Sequence, residues 1–321
     1  MADVATIQTP VPVEQTFRAY TKEQGTTYAK GRLGYHDRLY DFIYDHHVST
    51  GGHPDTLLDV GCGPGTVARK LGPRFTRAIA LDPSVGMIDA ARALGGATST
   101  SEPVRFEVST AEELGSNLSA PVADASVDLI TAATAAHWFD MAGFWTAAAR
   151  VLKPGGSVAI WTSSSRYIHP SMPNAARMQQ VLKDFRDEYI QPYMAPGNIV
   201  GEKMYETLPL PWDLGKPVTE FDKSTFLRKD WNKNGTIGPD GEFFLGQQHL
   251  GLDHIEKYLE TVSPVTRWRE AHPDAIGTDR DVVKMAVGKI ASLLHEAGME
   301  PGKEIITTGV AGALIMVKKR E

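Results

Sequence analysis

The sequence predicts an α/β protein, a doubly wound and mostly parallel sheet with helices on both faces, on two observations. From Thr56 onward, short apolar runs alternate with helical segments: "TLLDV", "VARKL", "RAIALD", "MIDAARAL", "VRFEVST", "VDLITAA", "FWTAAARVL" and "GSVAIWT". The first run passes directly into a glycine-rich turn, "DVGCGPG", at the point where such sheets bind ligands, the carboxyl end of a strand. With 321 residues, the chain is long enough to add a large insertion to that sheet.

Taken in order, residues 1–15 read as a flexible arm and 16–55 as an N-terminal helical cap. Within the cap Tyr40, Ile43, Tyr44 and His47 fall on one face of a helix that should stop before Gly51 and Gly52. The alternation then carries the core from Thr56 to Thr162. Residues 163–298, rich in proline, glycine and aromatics, read as an insertion covering one side of the sheet, with an amphipathic helix around Met178–Tyr189 and a helical stretch over 252–298. The last apolar runs, in "KEIITTGVAGALIMVKK", return to the core as terminal strands, read as a hairpin that completes the sheet. The core is thus 16–162 plus 299–321.

Composition narrows the partners. A formal net charge of −6 argues against nucleic acid as the main partner, because such proteins usually carry a basic excess. One cysteine, Cys62, allows no internal disulfide and fits a reducing compartment. The N-terminus has no basic segment followed by an apolar core, and no apolar run approaches the roughly 20 residues of a membrane span, so a cytoplasmic protein without a membrane partner is expected.

The glycine loop decides the ligand. A dinucleotide fingerprint needs a small residue where Thr66 stands, and a phosphate-cradling Walker loop needs a lysine that is missing. The glycines instead fall at Gly61, Gly63 and Gly65, with Asp59 two residues before the first. Backbone amides and a helix N-terminus suit a carboxylate, and Asp59 suits an ammonium. Asp82, closing "IALDPS", suits the two hydroxyls of a ribose. An amino acid joined to a ribose describes S-adenosyl-L-methionine.

"LLDVGCGPG", "ALDPS", "STAEEL", "VDLITAATAAHWF" and "VLKPGGSVAIW" together resemble the successive motifs of class I S-adenosylmethionine-dependent methyltransferases, over roughly residues 56–162 and the terminal strands. The resemblance implies a Rossmann-like sheet, with Asp59, Gly61, Gly63 and Gly65 around the methionine part and Asp82 on the ribose. It further implies Ala111 and Glu112 beside the adenine, Ala133 at the amino group, and Met87 either on the adenine face or in the core. "HWF", the early "YTKEQGTTYAKGRLGY" and the long insertion look more narrowly like the fungal trans-aconitate methyltransferase-like group. That pattern implies that Tyr28 and Arg32 help close the cofactor site, and that the acceptor is a small molecule methylated on a carboxylate oxygen, or in relatives on hetero-atoms of secondary metabolites.

An acceptor must be held in line with the methyl group, with reacting atoms about 3–3.5 Å apart. A carboxylate, ionised above a pKa near 4, needs no general base for this. His137 is the candidate to meet the acceptor, as orienter or as base, with the alternative that it simply walls the pocket; Trp138 is expected in the wall. Among Arg166, Arg186, Arg228, Arg267 and Arg269 are the cations available to clamp a carboxylate, and Trp138, Arg166 and Trp268 are taken as substrate candidates. "DWNKNGTIGPDGE" imitates a calcium loop but has Gly241 where the bidentate glutamate belongs, and no histidine spacing suits a metal, so no metal is expected. A nicotinamide oxidoreductase and a silent binding subunit are the competing readings; Thr66 counts against the first.

Overall fold

The computed structural model describes residues 16–32, 34–233 and 248–321. The arm at 1–15 and most of the calcium-like turn lie outside the described residues.

Two cap helices come first, α1 (Lys22–Gly31) and α2 (Asp37–Ser49). In α1 the side chain of Thr21 accepts from the Gln24 N–H while Gln24 reaches back to the Thr21 N–H, a reciprocal cap that fixes the helix start. The α2 helix buries Leu39, Tyr40, Ile43 and His47 and ends at the expected glycines, with Gly51 at φ 89°.

The core then alternates: β1 (Thr56–Val60), α3 (Thr66–Leu71), β2 (Arg77–Asp82), α4 (Val85–Leu94), β3 (Arg105–Val108), β4 (Val127–Ala133), α5 (Met141–Val151) and β5 (Leu152–Ile168). Successive turns, with no regular helix, connect β3 to β4. The insertion supplies α6 (Ala175–Asp184), which continues as one wide turn over Phe185–Ile190, then α7 (Pro196–Glu202), β6 (Phe221–Trp231), β7 (Gln248–Gly251), α8 (Leu252–Glu260), α9 (Ser263–Ala271) and α10 (Val282–Glu296). The last element is β8 (Ile305–Lys319).

The strands lie in the order β3-β2-β1-β4-β5-β8-β6, with β7 also on β8. The strands from β3 to β5 pair in parallel, and β8 runs antiparallel to β5, β6 and β7. The chain therefore leaves β1 toward β2 and β3 on one side and returns to β4 on the other. That reversal opens a crevice beyond the carboxyl ends of β1 and β4, where doubly wound sheets bind ligands.

Two details differ from the sequence reading. The expected terminal hairpin is instead one continuous strand: neither Gly309 nor Gly312 takes a positive φ, so nothing turns the chain, and β8 pairs with β5 from Thr308 to Lys318. The stretch read as a cover also supplies β6 and β7 to the main sheet.

Apolar side chains fill both faces of the sheet. Trp145 of α5 is fully buried against Phe221, with ring centroids 5.0 Å apart, and its indole N–H donates to the Pro209 carbonyl at 3.0 Å. Cutting it to alanine should cost about 3–5 kcal/mol. A further cluster of buried residues, around Met178, Val265, Trp268 and Ile290, joins α6, α8, α9 and α10 and includes Ile306 of β8.

Candidate active site

A cavity of ≈ 200 Å³ opens over the carboxyl ends of β1, β2 and β4, roofed by the N-terminal cap and by residues of the insertion. Of the sequence candidates, Tyr28, Arg32, Asp59, Gly61, Gly63, Asp82, Met87, Ala111, Glu112, Ala133, Trp138 and Arg166 line it. Gly65, His137 and Trp268 do not.

Asp59, next to last in β1, is fully buried. Its Oδ1 accepts from the Thr131 hydroxyl at 2.8 Å, while Oδ2 is buried without a hydrogen-bond partner. Burial pushes this carboxyl up to about 7, against the pull of the Thr131 hydroxyl and the Ala68 amide. A group in that state calls for a cation beside Oδ2. Across the loop, Asp82 is better served: its Oδ2 accepts from the Gly63 N–H and its Oδ1 from the Ser84 N–H, each at 2.9 Å.

The loop glycines divide their tasks. All three take positive φ, but a Cβ on Gly63 would meet nothing within 4 Å, so its missing side chain leaves room in the cavity. A Cβ on Gly65 would lie 2.6 Å from the Phe106 ring of β3, and one on Gly61 2.6 Å from Ala135. Gly65 thus serves the close seating of α3 against the sheet.

The cap reaches the cavity because α1 can approach two neighbours closely. A Cβ on Gly25 would come within 2.7 Å of the Gly86 carbonyl on α4, and one on Gly31 within 2.9 Å of the Lys257 carbonyl on α8. Held between them, α1 delivers Tyr28 and Arg32 to the cavity wall. The Arg32 guanidinium lies 5.3 Å from the Tyr28 ring centroid and 4.7 Å from that of Tyr258. Its Nε is buried without a partner.

Arg166 sits on the part of β5 that runs past the expected end at Thr162, just after the register with β8 shifts between Ser163 and Arg166. A bulge of this kind re-aims side chains. Arg166 Nη1 donates to Gln248 Oε1 at 2.8 Å and to the Thr308 hydroxyl at 3.2 Å, and its guanidinium lies 4.6 Å from the Tyr258 ring centroid. The other four arginines are committed elsewhere: Arg186 to Glu202, Arg228 to Asp230, Arg267 to Asn198, and Arg269 to Glu260 and Asp281.

His137 stands on a tight turn, Ala136–Trp138, that sends neighbouring side chains in different directions. Trp138 faces the cavity; His137 turns to Tyr205, its Nδ1 2.9 Å from the phenol oxygen. Burial, with Arg32 adding positive charge nearby, pushes the imidazole down to about 3. Helix α7 packs on this turn through its glycines: a Cβ on Gly197 would lie 2.6 Å from the Trp138 ring, and one on Gly201 3.3 Å from His137. Trp268 stacks on His272 within the insertion, with centroids 4.4 Å apart. Glu112 Oε1 accepts from the Asp140 N–H at 2.9 Å, tying the cavity wall to the start of α5.

The sequence reading missed Phe17, Tyr35, Thr134 and Tyr258, which also line the cavity. Thr134, just past β4, has φ 51°, an outlier for a β-branched residue. The Tyr35 phenol, 2.7 Å from its hydroxyl, and a 2.7 Å bond from its N–H to the Trp161 carbonyl hold it there. Strain of this kind collects at functional sites. Among the described residues, no cluster of potential metal ligands occurs, and no helix is long and apolar enough to cross a membrane.

A methyltransferase domain model matches residues 58–160. Methyltransferase cfoB of Aspergillus candidus is 33% identical over 150 residues, 46% of this chain and 45% of cfoB. CRG1 of Saccharomyces cerevisiae, named as a "Probable S-adenosylmethionine-dependent methyltransferase", is 22% identical over 252 residues, 76% of this chain and 80% of CRG1. The match thus spans about half the length of some of these relatives. A solved structure from Anaeromyxobacter dehalogenans, described as that of a "Putative Type II Methyltransferase", superposes with a TM-score of 0.58 at 22% identity, covering 90% of this chain and 97% of its own, and so shares the fold. The strand order, the glycine loop and the matched segment agree: residues 58–160 form a methyltransferase domain of the S-adenosylmethionine-dependent class, carried on a Rossmann-like α/β sheet.

Proposed function

We propose that the chain transfers a methyl group from S-adenosyl-L-methionine to a carboxylate oxygen of a small acid. The observation that carries the cofactor part is Asp59, whose buried Oδ2 lacks a partner in a cavity that also holds Asp82. The donor set fits: Asp59 toward the ammonium, the Arg32 Nε edge toward the methionine carboxylate, Asp82 toward the ribose, Gly63 leaving space beside Gly61, and Met87, Ala111, Glu112 and Ala133 along the adenine and amino-group side. When bound, S-adenosylmethionine supplies an electrophilic methyl on a sulfonium, so the acceptor oxygen forms the new C–O bond as the C–S bond breaks and its electron pair stays on sulfur.

The remaining work is positioning. Of the potential bases on the wall, Asp59 is taken up by the proposed ammonium, and the others are held by backbone amides: Asp82 by two, Glu112 by that of Asp140, and His36 Nδ1 by the Arg38 N–H at the start of α2. His137 faces away and stays neutral at physiological pH. An acceptor that arrives already ionised suits such a wall, and a carboxylate does so at neutral pH. His137 then acts as a positioning residue that fixes the turn carrying Trp138. Incubating the protein with methyl-labelled S-adenosylmethionine and a metabolite extract, followed by mass spectrometry, tests this. A labelled methyl ester is expected, and a labelled ether, thioether or amine would replace the carboxylate with another nucleophile.

A further inference from the structure

The acceptor side of the cavity is chemically two-sided. One wall is aromatic: Phe17 packs edge-on against Tyr28 and Trp138, at 5.8 and 6.2 Å between centroids. The other carries Arg166 beside Tyr258. Among the described residues, neither Arg166 nor Arg32 has a carboxylate partner, and both guanidiniums lean on the same Tyr258 ring. Two unneutralised cations in one partly buried cavity call for two anions. The methionine carboxylate answers Arg32, which leaves Arg166 for the acceptor.

Arg166 has only part of its guanidinium left to offer. Its Nη1 is held by Gln248 and Thr308, which fixes the plane of the group, and its Nε is buried with no partner. The Nε–Nη2 edge is the fork that matches a carboxylate. The aromatic wall offers no further cation, since Arg18, the other arginine of the cavity, is exposed at the rim. Extra carboxylates on the acceptor would be pressed against aromatic rings, a costly burial.

We propose that the Nε edge of Arg166, braced by Tyr258, Gln248 and Thr308, seats the single carboxylate of the acceptor, whose apolar, flat body lies against Phe17, Tyr28 and Trp138. This rests on the methyl-transfer reading above and departs from it in excluding polycarboxylates such as trans-aconitate. It also accounts for release: the ester product is neutral and no longer pairs with Arg166.

The test uses the full chain saturated with S-adenosylhomocysteine. Cinnamate, 4-hydroxybenzoate, salicylate and octanoate, each beside its carboxamide, and trans-aconitate are titrated by ligand-observed NMR. Acids are expected to bind about tenfold or more tighter than their amides, as befits a charged hydrogen-bonded pair. Arg166→Gln should abolish that preference while leaving S-adenosylhomocysteine affinity within about threefold of the parent, which also certifies the fold, and Arg166→Lys should retain part of it. Equal binding of acid and amide, acid binding unaffected by Arg166→Gln, no acid bound, or trans-aconitate bound tightest would each overturn the proposal while leaving the cofactor assignment standing. Failure of S-adenosylhomocysteine itself to bind would overturn both.

Discussion

The backbone N–H of Gly63 donates to Oδ2 of Asp82 at 2.9 Å, so the loop after β1 and the end of β2 form one hydrogen-bonded unit. The carboxylate proposed for the ribose is therefore aimed by the loop proposed for the methionine part. Asp82→Ala removes both the aiming bond and the acceptor oxygens. It should weaken S-adenosylhomocysteine binding by about 10- to 100-fold, as expected for hydrogen bonds to a charged group. Calorimetric titration measures this directly, and an unchanged affinity would remove Asp82 from the ribose site.

Asp59 links binding and stability to pH. Its folded-state pKa of about 7 lies above that of an unfolded aspartate, so the native state holds the extra proton between about pH 4 and 7. The contribution of Asp59 to stability is thus fully present below about pH 4 and is lost as pH rises through 7. Asp59→Asn should flatten that part of the melting-temperature profile. An ammonium favours the ionised form, so S-adenosylhomocysteine affinity should rise between pH 6 and 8 in the parent and not in the variant.

The pairing of His137 with Tyr205 predicts an opposite slope. Its folded-state pKa of about 3 lies below the ordinary histidine value, so the unfolded chain takes up the proton first, and stability falls as pH drops from about 6.5 toward 3. His137→Asn should reduce this acid sensitivity in thermal melts. Tyr205→Phe, which leaves Nδ1 without its phenol, should cost about 1–3 kcal/mol of stability with cofactor affinity unchanged. A bell-shaped rate profile that lost its acidic limb in His137→Asn would return the histidine to a catalytic role.

Gly63 and Gly65 can be told apart by one substitution each. Gly65→Ala meets both a positive φ of 81° and the Phe106 ring, so it should lower the melting temperature more than Gly63→Ala, which meets only the backbone cost, about 1 kcal/mol. Cofactor affinity should rank the other way, because only the Gly63 methyl would occupy the cavity. Calorimetry and thermal melts of the two variants decide it.

Much of the core was legible because its signals are local. The run into Asp59, the acidic end of β2 at Asp82 and the alternation through Trp161 each lie within a few residues of the feature they encode. What the sequence left open has the opposite character. His137 and Trp138 are adjacent, and only the tight turn tells which of them faces the cavity. Gly65 looked like its two neighbours in the loop, yet Phe106 on β3, two strands further along the chain, dictates it. Tyr258 carried no motif at all: its place between Arg32 and Arg166 comes from the close approach of α1 to α8 at Gly31, a contact between segments far apart in sequence.

The continuous β8 strand has a consequence for how the molecule is assembled. Its partners are remote, Trp161 facing Leu314 for example, and among the described residues β6 and β7 pair with no strand but β8. Pairing across such separations closes late in folding. Until it does, the long edge of β5 stands open as a template for any other extended chain. The hazard for this protein therefore lies in crowded refolding, where a neighbouring molecule competes with its own last strand for the same edge.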